Sequence, residues 1–167
     1  MNIRKLEKFP TGSYSYANLD KGFSISIKLN INQLEIEFYT GCHRIKYLYL
    51  NIRKDEIYIS EILGSGKKRS GLGTVLVNLA IEILQSCIDG DVKVMGTSAR
   101  GADQSIDGCK ARYYFWKYFG FKFKEEFNAQ LARDYSFEVA LNELEHRTIN
   151  DKYYPLVLFS AFEKLTA

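Results

Sequence analysis

The sequence has few of the residues that build metal sites and disulfide frameworks. Among its 167 residues are two histidines and three cysteines, Cys42, Cys87 and Cys109, which are scattered along the chain. A histidine-based zinc site needs several imidazoles at short spacing, and a disulfide framework needs cysteines that can pair. We therefore expect no metal cofactor and a reduced, cytoplasmic setting for the protein.

Long apolar runs and strong charge are also missing. No hydrophobic stretch reaches the roughly 18 residues that cross a membrane, and the first ten residues lack the apolar segment of a secretory signal. The formal net charge of +3 is mild and falls short of the basicity of a dedicated nucleic-acid binder. These absences predict a protein without a membrane segment and argue against nucleic acid as its partner.

The sequence is rich in apolar and aromatic residues. Hydrophobic residues make up 46% of it, with 12 tyrosines and 11 phenylalanines, which indicates a globular chain rather than a disordered one. A chain of this length can bury one sizeable core. We expect a single domain over residues 1–167.

Residues 56–85 form the stretch around which the chain is organised. Residues 56–63 are typical of a strand, and the later residues carry a helical stripe made of Leu72, Val75, Leu76, Leu79, Ala80 and Ile83. Between them lies a loop of glycines and cations, with Gly71 and Gly73 where the helix begins. A helix start presents unpaired backbone N–H groups, and glycine lets a ligand approach them closely. The pattern favours a phosphate-binding loop.

The same residues also have a simpler interpretation. Glycines often serve only the turn, and a run such as Lys67, Lys68 and Arg69 is often a solvated rim. The spacing fits neither a P-loop nor a dinucleotide-binding fingerprint. From spacing alone the two interpretations stay open.

Outside residues 56–85, the sequence predicts strands in the first part of the chain and both strands and helices in the second part. Alternating apolar residues predict strands near residues 23–29, 34–38, 45–51 and 56–63, joined by short turns as an antiparallel meander. Residues 1–20 look like a loosely ordered lead-in. A strand at 92–98 follows the first helix and should pair in parallel with the strand at 56–63.

The second half contains another helix and further elements. Its predicted apolar stripe comprises Ala111, Tyr114, Phe115, Tyr118 and Phe119, and Gly120 ends it. A strand then begins at Phe121. Residues 127–147 look helical, and residues 155–162 are a candidate last strand.

Two motifs in this order resemble the GNAT superfamily of CoA-dependent N-acyltransferases. The family's [QR]-x-x-G-x-[GA] motif is similar to the segment from Lys68 to Gly73, KRSGLG, with lysine in first place. Its F-Y-x-x-x-G-F-like helix end is similar to FWKYFGF, which starts at Phe115. The resemblance covers roughly residues 56–124. It implies an α+β fold: a mixed, mostly antiparallel sheet with a central parallel pair that splays, and helices packed on its faces. Residues 56–124 would be the cofactor-binding core and 127–147 a helical insertion.

The resemblance also implies acetyl-CoA as the donor and a primary amine as the acceptor. The donor-binding residues carried over by position are Ile62, Leu63, Gly64, Lys68, Arg69, Ser70, Gly71, Leu72, Gly73 and Thr74. In this family the amine attacks the thioester directly, so a base and an acid are needed. Glu61 is the candidate base, or else a solvated strand residue. The family's acidic tyrosine corresponds to Trp116, so Tyr113 or Tyr118 would have to replace it.

The sequence also departs from the family. One or two helices usually lie between its first two strands, and here the strands follow one another with turns only. The acceptor could therefore be a small molecule, a peptide or a protein. The alternative is a non-catalytic CoA-binding or protein-interaction module. A third hypothesis is an RNA-contacting sheet that uses Lys67–Arg69 with Tyr47 and Tyr49. The strand near Phe23 could also pair with a second copy in a homodimer.

Overall fold

The computed structural model describes residues 11–18, 22–64, 71–88, 91–98 and 103–147. The first element is a strand, β1 (Gly12–Asn18), which pairs antiparallel with the next strand along its whole length. The prediction of a loosely ordered lead-in is therefore wrong for these residues. Their serines and tyrosines alternate without clearly apolar positions, so hydrophobic periodicity did not reveal the strand.

The predicted antiparallel meander is confirmed. It consists of β2 (Phe23–Asn30), β3 (Gln33–Thr40), β4 (His43–Ile52) and β5 (Glu56–Gly64). Between β2 and β3 the side-chain oxygen of Asn30 accepts hydrogen bonds from the backbone N–H groups of Asn32 and Gln33. That Asx turn fixes the register of the hairpin.

A helix and a parallel strand follow the meander, as predicted. Helix α1 (Leu72–Cys87) connects β5 to β6 (Lys93–Ser98), and β6 pairs in parallel with β5. Helix α2 (Ile106–Tyr118) leads to β7 (Lys122–Phe123) and β8 (Tyr135–Ala140). The strands form one eight-stranded sheet in the order β1-β2-β3-β4-β5-β6-β8-β7.

Both helices pack on the same face of the sheet, called the core face below. Strand residues on this face are buried and alternate with more exposed neighbours; they include Ile25, Ile36, Leu48, Leu50, Ile57, Val94 and Phe137. Trp116 of α2 packs against Phe137, and Phe115 of α2 lies beside Gly73 of α1. The predicted fold class is confirmed. It is α+β, with a mostly antiparallel sheet and one parallel pair.

The predicted buried stripe of α2 is only partly right: Phe119 is buried and Phe115 packs against the core, but its other members are exposed. Tyr114 and Tyr118 are 49% and 51% exposed, whereas Tyr113 and Trp116 are buried. Aromatic residues occupy both sides of this helix, so apolar spacing could not choose the side. Packing decides it, because Trp116 fits between Phe121 and Phe137.

The predicted helical insertion at 127–147 is also wrong. This segment contains β8, which pairs with β6 and β7, and then a short 3-10 helix (Leu141–Glu143). Tyr135, Phe137 and Val139 are buried and alternate with more exposed residues, which is the period of a strand. The candidate strand at 155–162 lies outside the described residues, and the single domain stays a prediction.

Candidate functional site

The parallel strands β5 and β6 separate in the middle of the sheet. They pair from Glu56 with Lys93 to Ile59 with Gly96. Beyond that point β5 continues to Gly64 with β4 as its paired neighbour, and β6 continues to Ser98 beside β8. The result is a gap between the two strands, here called the splay, which opens toward their carboxyl ends.

A β-bulge lies where the splay begins. Tyr49 pairs with Glu61 and Leu50 with Ile59, which leaves Ser60 as an extra residue in β5. The Ser60 hydroxyl donates a hydrogen bond of 2.9 Å to the carbonyl oxygen of Tyr49. Bulges bend a strand and increase its twist, so this residue accounts for the departure of β5 from β6.

Gly96 allows the last close contact before the strands separate. A Cβ at this position would lie 2.8 Å from the Phe137 ring and 3.2 Å from the Cβ of Ile59. Even alanine would therefore push neighbouring side chains aside. The glycine keeps the narrow end of the splay tightly closed.

The start of α1 lies directly after the open end of β5. Its N-cap is Gly71, with a left-handed φ of 81°, and this residue has no side chain with which to cap the helix. Its first turn contains no acidic residue. The first backbone N–H groups of the helix have no intrahelical acceptor, and they carry a partial positive charge. An anion could bind there.

Lys46 is a cation that sequence reasoning missed. It lies on β4 opposite Gly64, and its Cε is 3.8 Å from the position a Cβ would take on Gly73. Burial lowers the pKa of the ammonium group because it disfavours the charged form. The Lys46 ammonium group makes no ion pair or hydrogen bond with the described residues. The available signal was the place of Lys46 in the strand alternation, two residues before Leu48 and four before Leu50, both of which are buried.

The predicted donor-binding residues are only partly brought together. Ile62 packs against the core, and Leu72 is buried in the first turn of α1, with Gly73 and Thr74 beside it. Leu63 and Gly64 form the end of β5. Lys68, Arg69 and Ser70 lie outside the described residues.

Glu61 lies on the other face of the sheet, opposite to α1. It is half-buried beside Tyr47 and Tyr49 of β4, and its carboxylate contributes to the raised pKa of Tyr47, after burial. Among the described elements none covers this face, called the open face below. The β1–β2 and β2–β3 connections span only residues 19–22 and 31–32, which leaves no room for the helices that the GNAT family usually has between its first two strands.

A hydrogen-bonded cluster occupies the open face beside Glu61. The Glu37 carboxylate accepts hydrogen bonds from Tyr39, Tyr49 and Arg44 at 2.6, 2.5 and 2.9 Å. Burial opposes ionisation, but these bonds outweigh it and lower the pKa of Glu37 to about 2. The guanidinium of Arg44 also lies 4.3 Å from the centre of the Tyr47 ring. The cluster fixes Tyr47, which borders Glu61.

The two candidate acids occupy different surroundings. Tyr113 is buried among Phe123, Phe127 and Tyr135, and its hydroxyl donates a 3.4 Å hydrogen bond to the carbonyl oxygen of Glu125. Tyr118 lies on the exposed side of α2, with the Arg147 guanidinium 5.0 Å from the centre of its ring. Trp116, at the family's tyrosine position, is buried. The catalytic roles of Tyr113 and Tyr118 stay predictions.

In the described part of the chain, none of the helices is long and apolar enough to span a bilayer. No group of three or more histidine, cysteine, aspartate or glutamate side chains is placed there to hold a metal ion.

The topology of the sheet agrees with the resemblance seen in the sequence. A mostly antiparallel sheet, a central parallel pair that splays and a helix between the two splayed strands are what the GNAT resemblance implies. Both helices of the described part pack on one face of this sheet. The chain therefore has a GNAT-like order of strands and helices.

Comparison with solved structures gives similar folds at low sequence identity. A PaiA N-acetyltransferase from Thermoplasma acidophilum in complex with coenzyme A is 13% identical, with a TM-score of 0.48 over 65% of this chain and 61% of that chain. The ribosomal-protein-S18-alanine N-acetyltransferase of Escherichia coli is 11% identical, with a TM-score of 0.46 over 92% and 94%. An acyl-CoA N-acyltransferase of Pseudomonas aeruginosa is 18% identical, with a TM-score of 0.47 over 65% and 68%. No protein-family model and no curated protein matches the sequence.

Proposed function

We propose that this protein is an acyltransferase that moves an acetyl group from acetyl-CoA to a primary amine. The observation that carries the proposal is the splay between β5 and β6, with the start of α1 and its glycine N-cap at the open end. A splay offers unpaired backbone groups to an extended arm, and a helix start offers N–H groups to a phosphate. Acetyl-CoA combines an arm of that kind with a pyrophosphate.

Charges around the start of α1 support the same assignment. Lys46 and the helix start are both positive, and no acidic side chain lies in the first turn. Such an arrangement is unfavourable without an anion, because the two positive groups repel each other. A bound pyrophosphate would compensate both. Lys68, Arg69 and Ser70 would add to this site from the loop, and residues 62–64 would hold the arm.

The transfer itself needs little from the protein. Acetyl-CoA supplies the thioester, and the amine nitrogen forms a bond to the acetyl carbon as the carbon–sulfur bond breaks. Glu61 accepts the proton that the nitrogen loses, and an acid, Tyr113, Tyr118 or water, protonates the departing thiolate. Because Glu61 lies on the open face, the acceptor would approach from that side. The acceptor could be a small amine or an amine of a peptide or protein.

Binding and turnover test the proposal separately. Isothermal titration with acetyl-CoA should show binding, and release of free thiol should depend on an added amine from a broad panel. Failure to bind acetyl-CoA would refute the proposal. Binding without thiol release would instead support the non-catalytic module. A cytoplasmic location stays a prediction. A homodimer stays a prediction too, but the expectation that the strand near Phe23 offers a free edge is wrong, because β2 pairs with β1 on one side and β3 on the other.

A further inference from the structure

Ser98 carries a buried hydroxyl for which the described residues provide no partner. It is the last residue of β6 and is only 3% exposed. Its Oγ is closed off from water and makes no hydrogen bond within the described part of the chain. A hydroxyl that loses water without gaining a partner costs free energy, so this atom calls for an explanation.

The position of Ser98 in the sheet suggests why its hydroxyl has no partner. The pairing of β6 with β5 ends at Gly96, and Ser98 lies two residues further along, paired only with Tyr135 of β8. Side chains two apart in a strand point to the same face, so Ser98 shares the core face with Gly96. Across the splay, Ile62 and Lys46 lie on this face as well.

The other buried atom of this kind is less isolated. Nε of Arg112 is also without a partner in the described ranges, but the same guanidinium contacts the Cys109 sulfur through a second nitrogen at 3.4 Å. Ser98 has one hydroxyl and no second polar group to compensate. Ser98 is a polar residue of β6 beyond the point where β5 and β6 separate. Its side chain lies on the core face, which also holds the start of α1.

We infer that the Ser98 hydroxyl donates a hydrogen bond to a carbonyl oxygen of the acyl-pantetheine arm when the donor binds in the splay. The inference rests on the proposed function and adds a side-chain contact from β6 to the groups expected from β5 and α1. The ligand-free protein bears the cost of the unpaired hydroxyl, and the bound ligand removes it. Ser98 is thus a binding residue, since it neither gives up nor takes a proton.

Titrations with two probes and a thermal melt test this. Ser98→Ala should weaken acetyl-CoA binding roughly 3- to 10-fold, as expected for one lost hydrogen bond. It should leave the affinity for adenosine 3′,5′-bisphosphate unchanged, because this probe lacks the arm. It should also raise the melting temperature of the ligand-free protein. Ser98→Cys, similar in size but a weak donor, should lose affinity for acetyl-CoA likewise. Ser136→Ala, an exposed serine on β8, is the matched control and should change none of these.

Each other outcome has a defined meaning. Equal affinity of Ser98→Ala and wild type for acetyl-CoA would overturn the inference. An equal loss for both probes would also overturn it, because the effect would not act through the arm. A wild-type protein that binds neither probe would refute the proposed function itself.

Discussion

The side chain of Lys46 on β4 reaches the first turn of α1, where its Cε lies 3.8 Å from the position of a Cβ on Gly73. The two residues are 27 positions apart, and the contact joins a strand of the meander to the helix that follows it. A half-buried ammonium group thus lies beside a helix end of the same sign.

Lys46→Met should weaken acetyl-CoA binding and leave the fold intact. Methionine keeps much of the stem and removes the charge that we expect to face the pyrophosphate. We expect a loss of affinity of roughly 3- to 10-fold, together with an unchanged or higher melting temperature, since a desolvated cation is removed. Isothermal titration and a thermal melt measure the two effects. Lys28→Met, on an exposed lysine of β2, should do neither. An unchanged affinity in Lys46→Met would remove this residue from the site.

Gly71→Glu should abolish tight donor binding, whereas Gly71→Gln should reduce it less. Both variants place a side chain at a left-handed φ of 81° and so carry the same backbone strain, on the order of 1 kcal/mol. They differ only in charge, and the carboxylate would repel a pyrophosphate. Titrations with acetyl-CoA on the two variants isolate the charge. Matching affinities would count against a phosphate site at this helix start.

Glu61→Gln should lower kcat by roughly 100-fold or more without weakening acetyl-CoA binding, as expected for loss of a general base. Steady-state kinetics with a reactive amine and titration with acetyl-CoA check the two quantities. Glu56→Gln is the control, because Glu56 lies at the start of the same strand and pairs with Arg53. A variant at Glu61 with normal kcat would show that water or another group takes the proton.

Glu37→Gln should destabilise the protein near neutral pH and much less in acid. The folded pKa of Glu37 is lowered to about 2 from an ordinary value of 4.5. Its contribution to stability is therefore complete above about pH 4.5 and is lost as the pH falls through about 2. We expect a cost of about 2 kcal/mol at neutral pH after allowing for solvent screening. Urea unfolding of wild type and variant across this range measures the difference. A gap that stays constant down to the lowest pH would contradict the assignment.

Much of the fold was predictable because its signals are local. The strands of the meander alternate with period two, and α1 has an apolar stripe from Leu72 to Ile83, so both were predicted correctly. Beta-strand β8 was missed, although Tyr135, Phe137 and Val139 alternate as those strands do. The buried side of α2 was predicted only in part, because the choice between Tyr113 and Tyr114 depends on rings that come from β7 and β8.

The site was less accessible to sequence reasoning than the fold. The glycine-containing start of α1 follows from a motif of six residues, and it was found. Lys46 and Ser98 come from strands on either side of β5, and only the pairing of those strands brings them to one face. Their chemistry depends on burial and on the lack of hydrogen-bond or ion-pair partners among the described residues. Neither property can be predicted from a short stretch of sequence.

The extra residue Ser60 also determines which side chains of β5 lie on the core face of the sheet and which lie on the open face. Ahead of Ser60 the odd-numbered residues Ile57 and Ile59 are buried beneath the helices; past it the even-numbered Ile62 takes that orientation and Glu61 the opposite one. Loss of the Ser60 codon would remove the bulge but keep both orientations, because Ile59 would then be followed directly by Glu61 opposite Tyr49 and by Ile62. A strand without the bulge would bend and twist less at this point. Deletion of Ser60 should therefore preserve the buried side of β5 and straighten the strand toward β6.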